Sequence, residues 1–174
     1  MPFAYYDKLS AARQRIYRKS DSIQTLGIPP GLALGGLITQ IGDALKRENR
    51  TATQSACQRL ADALFQGYRV PPVRVRVLTR RPADGYGELH GLYEPEERKA
   101  LAVITVWMRT AQRKQVVAFK TFLRTLIHEV CHHLDYELFA LEETFHTEGF
   151  YKRESNLVAA LLAQLAPPED GARG

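Results

Sequence analysis

The sequence predicts an α+β protein: helices over residues 1–70, then a small sheet of three or more strands, then two helices. Three observations predict it. Val73-Arg74-Val75-Arg76-Val77 alternates apolar and basic side chains, the period of a strand with one buried face. Leu101 to Met108 reads as a further strand. From Val116 to Ile127 no Gly or Pro interrupts a run with apolar residues at helical spacing.

The elements follow in order. Ser10 to Asp21 reads as a short basic helix, and Gly27-Ile28-Pro29-Pro30-Gly31 is a break. Helices over 31–48 and 51–66 come next, separated by the polar Arg47-Glu48-Asn49-Arg50. Pro71-Pro72 ends the helical part, and Val73 to Val77 is the first strand. A turn at Pro82-Ala83-Asp84-Gly85 leads to a second strand from Glu88 to Tyr93, and a charged loop, Glu94 to Lys99, leads to the third. A helix is expected over about 115–140, and another after Thr147. The Pro/Gly/Ala-rich tail, 167–174, reads as disordered.

Composition sets the outer bounds. At 174 residues and 45% hydrophobic content the chain suits one domain, 1–174, its helical part ending at 70 and its core running over 71–166. Two cysteines make no disulfide framework and fit a reducing compartment. Met1 to Lys8 lacks the apolar stretch of a signal peptide, and Leu32 to Ile41 is too short to cross a bilayer. A cytoplasmic protein without a membrane partner is expected.

Residues 128–132 read His-Glu-Val-Cys-His. At about 100° per residue, His128 at the origin sets His132 near 40°, Glu129 near 100° and His133 near 140°. The first two imidazoles can share one ion while Glu129 flanks it, close enough to act on a water without becoming a ligand. The competing reading is a surface pair of histidines. Against it, Leu126, Ile127, Val130 and Leu134 are apolar, so the rings would be partly buried and in need of partners that a metal supplies. Cys131, near 300° on the same wheel, reads as a small core residue.

A catalytic zinc site normally has three protein ligands. Of five histidines in the chain, four lie between 128 and 146. His146 follows His132 by fourteen residues, room for the helix to end and a second helix to bring a ligand back. Thr147 can cap that helix, with Glu148 in its first turn. Glu154, further along, is the rival third ligand; Glu142, Glu143 and Glu148 are weaker ones. Asp135 falls near 340°, placed to accept an N–H from a ligand imidazole.

The motif His128-Glu129-Val130-Cys131-His132, with His146 and then Phe150 four residues on, resembles the SprT-like zinc peptidases, HExxH metallopeptidases of the zincin kind. The chain departs from that pattern in carrying Thr147 where the family usually has Gly. Glu154 to Leu162 resembles the helix of ImmA/IrrE-type peptidases that carries their glutamate ligand. The metzincin pattern is not met, because Asp135 and Leu138 stand where it has Gly and a ligand. In order of elements the resemblance covers residues 70–165. It implies a zincin-like core, Zn2+ held by His128 and His132 with His146 or Glu154, and Glu129 as general base in peptide hydrolysis. Tyr151, His133 and Tyr93 are the candidate donors to the oxyanion. An edge strand, either Glu88–Tyr93 or 101–108, is expected to take an extended substrate.

Net charge is +5, from 24 Lys and Arg against 19 Asp and Glu. Lys8, Arg13, Arg15, Arg18 and Lys19 fill the first helix, Arg69, Arg74, Arg76, Arg80 and Arg81 line the first strand and its exit, and Arg109, Arg113, Lys114, Lys120 and Arg124 lead into the motif helix. Such a face suits contact with nucleic-acid phosphates, with Tyr5, Tyr6 and Tyr17 available to stack on bases. SprT-like peptidases act on DNA-associated proteins and ImmA/IrrE-type ones on repressors, so the resemblance implies a DNA-associated or regulatory protein substrate. The alternative from another class is a nucleic-acid-binding module whose metal site is structural or degenerate.

Overall fold

The computed structural model describes residues 4–81, 91–98, 100–110 and 115–165. Among them are five α-helices and a three-stranded mixed sheet, an α+β architecture in the predicted order. α1 (Ala11–Ser22) starts at Ser10, whose hydroxyl accepts from the Arg13 N–H. α2 (Gly35–Lys46) begins later than expected. Gly31 takes a φ of 82°, and the Leu34 N–H is captured by the Gln164 side chain, so the chain turns there before it coils. α3 (Arg50–Tyr68) is capped by Asn49, which accepts from the Ala52 N–H at 2.9 Å.

β1 (Val73–Arg80) runs parallel to β3 (Ala102–Arg109), and β2 (Gly91–Glu94) pairs antiparallel on the other side of β3, with Tyr93 opposite Ile104. The alternation in β1 is as predicted: Val73, Val75 and Val77 are buried, Arg74 and Arg76 exposed. The 101–108 strand is not an edge. It is the middle strand among the described residues, and its near-continuous apolar run reflects burial on both faces. The outer edge of β1 is closed by α3: the Val75 and Val77 N–H groups donate to Gln58 and Gln54, and Gln58 donates to the Val73 carbonyl. Among the described residues β2 is the other edge, beside the motif helix.

α4 (Phe119–Glu137) lies against β2 and β3, and α5 (Glu148–Ala163) packs on α4. α4 starts four residues later than predicted because the chain is still extended, the Val117 N–H donating to the Met108 carbonyl at 2.8 Å. Phe122, Leu126, Val130 and Leu134 recur every four residues and are all buried, in one core with Phe150, Leu157 and Leu161 of α5. Truncating one such leucine to alanine costs about 2–5 kcal/mol, enough to make this helix pair a stiff base for a site. Thr147 caps α5 as expected, accepting from the Phe150 N–H at 2.8 Å.

The turn at 82–85, the segment 88–90 of the second predicted strand, Lys99, Arg113, Lys114 and the tail lie outside the described residues. Among the described residues no helix is long and apolar enough to cross a membrane.

Candidate metal centre

His128 and His132 lie one turn apart on α4, and His146 stands at the end of the loop that returns the chain to α5. Their Nε2 atoms converge: 3.3 Å between His128 and His132, 3.1 Å between His128 and His146, 3.0 Å between His132 and His146. Tetrahedral zinc with bonds of roughly 2.0–2.1 Å spaces its ligand atoms about 3.3 Å apart, so the triangle has the right size for one ion. The three histidines are close enough to bind a metal.

The outer nitrogens decide which face of each ring is free. His128 Nδ1 meets Glu154 Oε1 at 2.5 Å, and Glu154 Oε2 accepts from Arg124 at 2.9 Å. Burial pushes the Glu154 carboxyl up, but His128 and Arg124 outweigh it and hold the group below its ordinary value. An ionised Glu154 makes Nδ1 of His128 the protonated nitrogen, which in the neutral ring a metal takes leaves Nε2 bare. On the second ring, His132 Nδ1 lies 2.7 Å from Thr144 Oγ1, whose own hydrogen goes to Asp135 Oδ2 at 2.7 Å. The threonine oxygen must therefore accept from His132, so Nε2 of that ring is bare as well. Two bare nitrogens 3.3 Å apart repel one another, and a cation between them removes the repulsion. Burial, reinforced by His128 and His146, holds the His132 imidazole down at about 3, so the ring is neutral as a ligand requires.

Comparison with family models, curated proteins and solved structures finds no match to this chain.

Glu129 is 5% exposed and borders a cleft of about 290 Å³ that it shares with the three histidines, Gly91, Tyr93 and Tyr136. Burial lifts its carboxyl to about 7, against an opposing pull from His128. A carboxyl poised near neutrality is suited to taking and returning a proton. Gly91 makes room for it: a Cβ there would stand 2.7 Å from Glu129 Oε2.

Several sequence expectations resolve differently. Glu154 is the outer partner of His128 and not a member of the nitrogen triangle. Asp135 reaches His132 only through Thr144, because its other oxygen is held by Arg153 at 2.9 Å in a pair that is fully buried on both sides. Glu143 pairs with Arg13 and Glu148 with Lys152, away from the triangle. His133 points into the protein, its Nε2 donating to the Pro71 carbonyl at 2.8 Å and its Nδ1 accepting from the Tyr93 hydroxyl at 2.8 Å. That removes His133, and commits the Tyr93 hydroxyl. Tyr151 remains beside the cluster, its ring stacked on His146 at 5.7 Å. Cys131 is buried, and burial pushes its thiol well up, as for a core residue. Tyr17 is buried too and cannot stack on a base.

The sequence reading missed Thr144, Arg153 and Gly91. Arg153 left a trace: it sits three residues after Phe150 and four before Leu157, a charge on an apolar stripe. Thr144 and Gly91 left none.

Proposed function

We propose that this chain is a zinc-dependent endopeptidase with a zincin-like centre. The observation that carries the reading is the convergence of three Nε2 atoms beside a buried carboxyl, at a cleft bounded by a strand edge. His128, His132 and His146 would hold the zinc, which when bound supplies Lewis acidity and brings the pKa of water toward about 7. Glu129 takes the proton of the attacking water and returns it to the leaving amine. Its short tether to the helix and the lack of a side chain at Gly91 keep the carboxylate at the cleft floor.

The substrate is an extended segment of a protein chain. β2 presents the edge that such a segment can join, its main chain supplying affinity and Tyr93 and Tyr136 flanking the bond to be cut. β1 cannot serve, since Gln54 and Gln58 occupy its outer groups. The exposed Arg74 and Arg76 favour a substrate protein associated with nucleic acid.

Zinc-loaded wild type is expected to cleave an unfolded protein such as casein. Glu129→Gln is expected to keep its zinc and to cleave roughly 10²–10⁴-fold more slowly. Equal cleavage by the two proteins contradicts the reading.

A further inference from the structure

The segment from Glu143 to Thr147 lies outside helix and sheet, and its side chains alternate between two neighbours. Thr144 and His146 face the nitrogen triangle. The residues between and around them face α1. Arg13 bonds Glu143 at 2.6 Å, Tyr17 packs its ring on Phe145 at 5.8 Å, and Ser20 Oγ lies 3.1 Å from Thr147 Oγ1. Asp21 then accepts from the Gly149 N–H at 2.9 Å, where a Cβ would stand only 2.5 Å from the Asp21 carbonyl oxygen. Arg13, Tyr17, Ser20 and Asp21 are spaced four, three and one apart, a single face of the helix.

A second line joins α1 to the site through the interior. Arg153, fully buried, donates to the Ser20 and Ile23 carbonyls at 2.6 Å and 2.5 Å and to Asp135 at 2.9 Å. Asp135 accepts from Thr144, and Thr144 accepts from His132. The end of α1 is thus four hydrogen bonds from the outer nitrogen of the His132 ring, every link of them buried or half-buried.

We propose that α1 is a positioning element of the metal centre. It clamps the ligand loop on the odd-numbered side so that Thr144 and His146 are presented on the even side, and Arg153, Asp135 and Thr144 carry its seat to the ring of His132. The inference rests on the metal-centre reading above. Its consequence is thermodynamic: if docking of α1 favours zinc, then zinc favours docking of α1 by the same factor.

The test uses the full chain, with zinc affinity read by competition against a chelating indicator and amide hydrogen exchange of α1 read with and without zinc. Wild type is expected to slow exchange over Ile16 to Asp21 when zinc is added. Thr144→Val is expected to lose roughly 10–100-fold in zinc affinity and most of that protection. Thr144→Ser restores both, which a purely structural role for the threonine methyl would not do. Ser20→Ala, at a distance from every ligand, is expected to weaken zinc by roughly fivefold, the factor of one hydrogen bond. Zinc bound by wild type with no change in α1 exchange, or Thr144→Val and Ser20→Ala binding zinc like wild type, overturns the coupling while leaving the metal reading intact. Failure of wild type to bind zinc overturns both.

Discussion

Glu154 Oε1 and His128 Nδ1 meet at 2.5 Å, a carboxylate on α5 gripping the outer nitrogen of a ring on α4. The contact fixes the ring's tautomer and direction together. It also assigns Glu154 a place behind the triangle, where its second oxygen is held by Arg124.

Removing a ligand and removing its support therefore have different costs. His146→Ala deletes one of three nitrogens and is expected to abolish stoichiometric zinc. Glu154→Ala leaves all three and is expected to weaken zinc by roughly 10–100-fold. Titration of each variant with zinc against an indicator checks the order, and the reverse order would make Glu154 the ligand.

Gly91→Ala tests the seat of the base. The added methyl would stand 2.7 Å from Glu129 Oε2 and 3.0 Å from Thr125 Cγ2, so the carboxyl must move. A displacement of about 1 Å at a reacting group costs roughly 10²-fold in rate. The cleavage rate is expected to fall by that order with zinc content unchanged, which separates displacement of Glu129 from loss of the metal.

In the metal-free chain one buried imidazole opposes folding increasingly as the pH falls. In the fold His132 is held at about 3 by burial and by the two neighbouring histidines, against 6.5 for an ordinary histidine. The unfolded chain binds a proton that the folded ring refuses, so this ring's contribution to stability falls as pH drops below about 6.5 and goes on falling toward 3, while Glu129, held up at about 7 against an ordinary 4.5, contributes in the opposite sense. Urea midpoints of the stripped wild type and of His132→Asn at pH 7 and pH 5 isolate the ring: the change from pH 7 to pH 5 should be less favourable in wild type than in the variant.

Much of this was legible because the signals are local. The spacing of His128 and His132, the Thr147 cap and the alternation of Val73 to Val77 each depend on a few neighbouring residues. His146 was legible at one remove, from the length of chain needed to return. What could not be read depends on contacts far along the chain. Thr144 matters only because Asp135 is engaged by Arg153, and Arg153 only because α1 delivers the carbonyls of Ser20 and Ile23. That β3 is covered on both faces was in the sequence as an apolar run from Ala102 to Met108, broken by a single threonine, whereas its middle position depends on which strands pair with it and was not. The later start of α4 was not, since it follows from pairing between Val117 and Met108.

The most direct test of the central claim is the zinc content of the purified chain after equilibration with the metal and dialysis, measured by elemental analysis. One zinc per chain is expected in wild type and in Glu129→Gln, and none in His128→Ala. Wild type without metal, or His128→Ala with a full complement, would contradict a centre built on these three imidazoles.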